Sequence, residues 1–137
     1  MHDESCLFCR IAAKTISSKI VYEDEYVVAF LDVAPRVPGH TVVVSKYHTS
    51  TLLDLPDEEV TRLFCAVKTV DVLLSKKLNV DGMTIGINQG AASGQEVGHL
   101  HIHLLPRWDG DNGGSVQSIV HNPAKESIEE LFKTILQ

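Results

Sequence analysis

Cations are scarce in this chain: 12 Lys and Arg stand against 18 Asp and Glu, for a net charge of −6. That balance excludes a broad nucleic-acid surface, because displacing counterions from a phosphate backbone takes clustered Lys and Arg. No apolar run approaches the ~20 residues that a membrane-spanning helix needs. The opening MHDESCLFCR lacks the apolar stretch of a secretory signal peptide. Three cysteines, an odd number without a secretion signal, suit a reducing cytoplasm better than a disulfide scaffold. Internal repeats and a linker-like stretch are also missing. The 137 residues, 44% hydrophobic and 22% charged, are expected to form one soluble cytoplasmic domain with no membrane or nucleic-acid partner.

What is present is a row of imidazoles. In His99-Leu100-His101-Ile102-His103-Leu104-Leu105-Pro106 ring and aliphatic alternate, the period of a half-buried strand. Leu100, Ile102 and Leu104 are expected in a core, with His99, His101 and His103 on the other face. A histidine-rich solvated face is the plain alternative, but rings poised near neutral pH favour chemistry. A strand rises about 3.3 Å per residue, so positions 99 and 103 lie roughly 13 Å apart. Neighbouring rings at i and i+2 can share an ion, whereas a third at i+4 cannot easily join them. The three rings therefore divide their work.

Elsewhere the chain offers candidates with more than one reading each. Cys6-x-x-Cys9 reads as a zinc knuckle, a redox pair or coincidence, and the βαβ context of a redox pair is absent. Strands are expected over 20–23 and 26–32, joined at Asp24-Glu25. Asp32 at the end of the second is a turn former or an acceptor for a ligand hydroxyl. A strand over 40–45 is flanked by His40 and His48, each a loop residue or a site residue. A helix is expected over 51–78, with Asp54 as cap, Pro56 in the first turn and acids at 57–59 suiting its dipole. Its stripe is Val60, Leu63, Phe64, Val67, Val70, Leu74 and Leu78, with Cys65 buried beside it. Alternation over 83–88 places Met83, Ile85 and Ile87 on one face and Thr84, Gly86 and Asn88 on the other. The small-residue loop 89–98 is a hairpin connection or a source of N–H groups for an anion. Asn122-Pro123 is expected to cap a last helix with Ile128, Leu131, Phe132 and Ile135 inward. This order predicts an α+β domain on a largely antiparallel sheet.

Together, Asp32, Pro38-Gly39-His40, Asn88, Gly94-Gln95 and His99-x-His101-x-His103-Leu104-Leu105-Pro106 resemble the histidine-triad (HIT) superfamily of nucleotide hydrolases and transferases, from Cys6 to about Arg107. The nearest branch looks like the nucleoside phosphoramidase (HINT-like) proteins in their shorter bacterial form. The resemblance implies an antiparallel five-stranded sheet with a long central helix and a C-terminal helix, assembled as a two-fold homodimer. It implies His101 as nucleophile on the α-phosphate of a purine nucleotide, forming a nucleotidyl-imidazole that water hydrolyses. His103 and Asn88 would hold phosphate oxygens, Gly94 and Gln95 would complete the cradle, Asp32 would accept the ribose hydroxyls, and His40 would stand near the leaving group. The implied substrate is AMP linked through nitrogen. A dinucleoside polyphosphate, or a regulatory role in nucleotide binding, is the alternative. By resemblance, Cys6, Cys9, His48 and His99 would hold one structural zinc ion. A metallohydrolase of the HxHxDH type would need Asp at 103 and His at 104, where His103 and Leu104 stand. The chain departs from the branch at Glu96, where a serine is common, and a carboxylate there repels phosphate unless it turns away.

Overall fold

The computed structural model describes residues 2–137. Five strands, β1 (Ile20–Glu23), β2 (Val27–Leu31), β3 (Thr41–Ser45), β4 (Gly82–Gly86) and β5 (His101–Arg107), form one sheet in the order β1-β2-β3-β5-β4. Every neighbouring pair is antiparallel. Three helices accompany it: α1 (Leu7–Ala12), α2 (Asp57–Leu78) and α3 (Ile128–Leu136). The α+β architecture expected from the sequence is the one observed.

The sheet buries its two faces differently. On one side Val27, Ala29, Val43, Ile102 and Leu104 pack under Leu63, Ala66, Val67, Val70 and Leu74 of α2. On the other, Val28, Phe30, Val42 and Val44 pack against Phe8 and Ile11 of α1. β2 and β3 are thus covered on both faces, which is why they read as continuous apolar runs rather than alternations. β5 alternates because α1, at six residues, covers only part of the second face.

Several local expectations are corrected. α2 begins at Asp57, not near 51: Leu52–Asp54 is a separate 3-10 turn and Pro56 takes the N-cap position. Leu55 before it is extended at ψ 126°, since a proline pushes its predecessor out of the helical region. Asp54 accepts from the Thr51 hydroxyl at 2.9 Å and does not cap α2. Cys65 is exposed, because it lies two residues, about 200° around a helix, from the buried Leu63. Phe64 and Leu78 also fall outside the buried stripe. The last helix starts at Ile128, where Ser127 and Glu130 form a reciprocal capping box that satisfies two end N–H groups. Asn122-Pro123 lies outside it. No residue of α3 is buried, and Phe132 is 62% exposed, so its apolar face is not turned onto this chain's core.

Candidate functional site

The register of the sheet brings the histidines together. β3 sets Val44 opposite His101 and Val42 opposite His103, so both rings rise from the face that α1 only partly covers. His40 immediately precedes β3, and His99 precedes β5 with no exposed surface. On the far side Gly86 pairs with His103. A Cβ at Gly86 would meet nothing within 4 Å, so the floor beside the rings is open. Asn88 lies two residues beyond the end of β4.

Main-chain groups settle which nitrogen of each ring carries the proton. His99 donates from Nε2 to the Ser45 carbonyl at 2.8 Å, leaving the Nδ1 lone pair free. His101 donates from Nδ1 to the His99 carbonyl at 2.6 Å, which leaves its Nε2 as a bare lone pair. The Arg36 N–H donates to His40 Nδ1 at 3.2 Å, so His40 is protonated on Nε2 and donates to His103 Nδ1 at 2.9 Å. His103 then offers Nε2–H. A bare lone pair and a donor stand on adjacent rings, whose centroids are 5.0 Å apart.

Burial holds two of these rings, His40 and His103, toward the neutral form. Burial, then the neighbouring rings of His101 and His40, push the His103 pKa down to about 4. Burial lowers His40 as well, against the opposing pull of Asp32. Neutrality is what lets His40 accept the Arg36 N–H on Nδ1 and His103 accept from His40, since both nitrogens of an imidazolium are donors.

The remaining candidates divide into ligand-facing groups and framework. Asp32 accepts the Ala34 N–H on Oδ1 at 2.8 Å, and its Oδ2 lies 3.6 Å from His40 Nε2 with the side chain 24% exposed. It is a turn former with one oxygen still open to a hydroxyl. Gln95 spends its amide inside the loop: Oε1 accepts the Gly90 N–H at 2.8 Å, while Nε2 donates to the carbonyls of Ser50 at 2.8 Å and Val97 at 3.0 Å. It shapes the main chain around Gly94, which holds the left-handed φ of 93° that favours glycine. Glu96 lines a cleft with Asp3, Ser5, Cys6 and His48, beside the cysteine pair.

That pair meets two of the histidines. One ligating atom each from Cys6, Cys9, His48 and His99 lies within 4.8 Å of all the others. Sulfur-to-nitrogen separations are 3.4 Å for Cys6–His99, 3.4 Å for Cys9–His48 and 3.6 Å for Cys9–His99, and the two Nδ1 atoms are 3.2 Å apart. Zinc bond lengths of about 2.3 Å to sulfur and 2.0–2.1 Å to nitrogen give tetrahedral edges of about 3.5 and 3.3 Å. The donor set and its spacing fit a Cys₂His₂ ion. Asp3 supports it from outside, its N–H on Cys9 Sγ at 3.4 Å and its carboxylate 3.8 Å from His48 Nε2. A second trio, Asp32, His40 and His103, also clusters. Its 2.9 Å nitrogen separation is a hydrogen bond, shorter than the about 3.3 Å edge between two imidazole nitrogens on tetrahedral zinc.

The family model of the HIT domain matches residues 13–110. The chain belongs to the HIT family. Its HIT match begins after α1, so the cysteine pair lies outside the matched segment. The chain is 37% identical over 138 residues to an adenosine 5'-monophosphoramidase of Saccharomyces cerevisiae, covering 98% of this chain and 82% of that one. Among solved structures, a HIT family member from Bacillus subtilis superposes with a TM-score of 0.85 at 32% identity, covering 97% of this chain and 94% of that one. A zinc-bound histidine triad family protein from Mycobacterium smegmatis superposes with a TM-score of 0.75 at 33% identity, covering 89% and 84%.

The HIT site also contains groups that the sequence did not reveal. The Ser45 carbonyl and the Arg36 N–H are main-chain atoms with no residue-type signature. Phe8, edge-on to His101 with centroids 5.1 Å apart, carries one signal that sequence could have offered: it is the aromatic held between two cysteines.

Proposed function

We propose that this HIT protein is a nucleotidyl hydrolase of purine nucleoside phosphoramidates, with AMP joined through nitrogen as the substrate type. The observation that carries the reading is the proton pattern on two adjacent rings: a bare Nε2 on His101 beside an Nε2–H on His103. The monophosphoramidase among its relatives supports the substrate class. His101 Nε2 attacks the α-phosphorus and forms the new P–N bond, and the old P–N bond breaks toward the departing amine. That amine takes the bonding pair and a proton from solvent. Water then attacks the nucleotidyl-imidazole, releasing AMP and restoring the ring.

His103 donates to a phosphoryl oxygen as charge develops there, held in its tautomer by His40. Asn88 and the main chain at Gly94, shaped by Gln95, complete the phosphate cradle. Asp32 accepts the ribose hydroxyls with its free oxygen. Cys6, Cys9, His48 and His99 hold a structural zinc ion, which supplies a cross-link between α1 and the sheet; the zinc-bound mycobacterial neighbour supports this assignment. Free cysteines suit a cytoplasmic setting. A two-fold homodimer would cover the β4 edge, where Ile85 is exposed, together with Phe64 and Val72 of α2.

The deciding assay compares hydrolysis of an AMP phosphoramidate with that of a dinucleoside polyphosphate. Preference for the amidate is expected, with AMP–histidine trapped at position 101. Faster turnover of the polyphosphate replaces the substrate class, and AMP binding without turnover of either makes the protein a binding module.

A further inference from the structure

α1 is a helix with little reason of its own to exist. Six residues fall well short of the ~12–15 at which an isolated helix becomes even marginal, and its N-cap residue, Cys6, makes no capping bond through its side chain. Two things hold it. Phe8 and Ile11 pack on Val28, Phe30, Val42 and Val44. Cys6 and Cys9, on either side of Phe8, reach the ligand cluster with His48 and His99.

Both holdfasts lead to the nucleophile. The Phe8 ring stands edge-on to His99 and to His101, with centroids 6.0 and 5.1 Å away. His99 is shared outright: its Nδ1 faces the two sulfurs, its Nε2–H is fixed on Ser45, and its carbonyl takes the Nδ1–H of His101. The backbone carbonyl that selects the His101 tautomer therefore belongs to a candidate metal ligand.

We infer that the Cys6–Cys9–His48–His99 metal site and the nucleotide site form one thermodynamic unit, with His99 and Phe8 as the residues that position His101. The inference rests on the nucleotide reading given above. Filling the metal site fixes α1 and the His99 main chain, so His101 is already oriented when the phosphate arrives. Coupling of this kind is reciprocal: a metal that tightens nucleotide binding is itself tightened by nucleotide, by the same factor.

The test measures both arms on the full chain. AMP affinity is read by calorimetry on zinc-loaded and chelator-stripped protein, and zinc affinity by chelator competition with and without saturating AMP. The expected result is a ratio of at least about fivefold in each arm, equal in the two. Phe8→Ala should bring both ratios toward one while the protein keeps its zinc. Should the stripped protein unfold, Co(II) replaces zinc: the visible spectrum of the thiolate–imidazole site should shift on AMP binding in the wild type and shift less in Phe8→Ala. AMP that binds equally well to both forms, or leaves the cobalt spectrum unmoved, overturns the inference alone. AMP that binds neither form overturns the nucleotide reading, and this inference with it.

Discussion

Two clusters of ligand-type side chains lie on the same face of this sheet, and they have opposite geometries. In one, three sulfur–nitrogen pairs and the two nitrogens are splayed at 3.2–3.6 Å, the spacing of atoms that share a central ion. In the other, His40 and His103 close to 2.9 Å and an amide N–H occupies the back of His40. Residue type alone does not distinguish a metal site from a proton-ordering network. The ring contacts do: His99, its Nε2–H spent on Ser45, turns its Nδ1 lone pair to two sulfurs, whereas His103 receives the proton of His40 on its Nδ1.

The largest effect that tests this division is on turnover. His101→Ala removes the ring of the site whose outward nitrogen is bare, and hydrolysis should fall by more than about 10³-fold. AMP binding should stay within about tenfold, or 1.4 kcal/mol. Initial-rate kinetics with calorimetry on the variant checks both, and retained turnover would remove His101 as nucleophile.

Next comes the metal. Purified protein should carry about one zinc per chain by elemental analysis. Cys9→Ser should lose it and melt about 10–15 °C lower, from roughly 4 kcal/mol of binding energy at a thousandfold excess over Kd. His40→Ala should keep the full zinc content. Two ions per chain, with one lost in His40→Ala, would erase the contrast between the clusters.

A smaller effect concerns pH. The His103 pKa is lowered to about 4, so between about 6.5 and 4 the unfolded chain binds a proton that the folded ring refuses. Its contribution to stability is complete above pH 6.5 and is lost as pH falls toward 4. Urea titrations should show the wild type losing up to about 3 kcal/mol more across that window than His103→Asn. Equal slopes would mean that the ring takes up its proton as readily in the folded protein as in the unfolded chain.

The smallest is on affinity. A hydrogen bond to a charged acceptor contributes about 1.5–3 kcal/mol, so Asp32→Asn should weaken AMP roughly tenfold. It should weaken 2′,3′-dideoxy-AMP far less. Equal losses for the two nucleotides would leave Asp32 as the turn former that its bond to Ala34 already makes it.

Much of this is legible in the sequence because side-chain period reports burial. Ile102 and Leu104 lie in the core as the alternation requires, and the Leu63, Val67, Val70, Leu74 spacing places α2. The imidazole row divides as its strand spacing demands, with His99 in one cluster and His103 in the other. What stays hidden depends on things that pattern does not encode. Ser45 and Arg36 act through main-chain atoms. Gln95 carries the right residue type for a phosphate donor, yet three local bonds claim it. Hydrophobicity predicts Cys65 inside, and the helical turn puts it outside. α3 has a sound apolar face that the described residues leave unburied.

The Gln95 bonds have a kinetic consequence. They hold the ends of the 90–97 segment to each other and to Ser50 through the chain's own groups, so the ordering entropy is spent during folding. Capture of nucleotide should then be a one-step encounter, with the observed rate in stopped-flow rising linearly with AMP concentration. Gln95→Ala should convert that line into a curve that saturates, as closure of a loosened loop becomes the slower event.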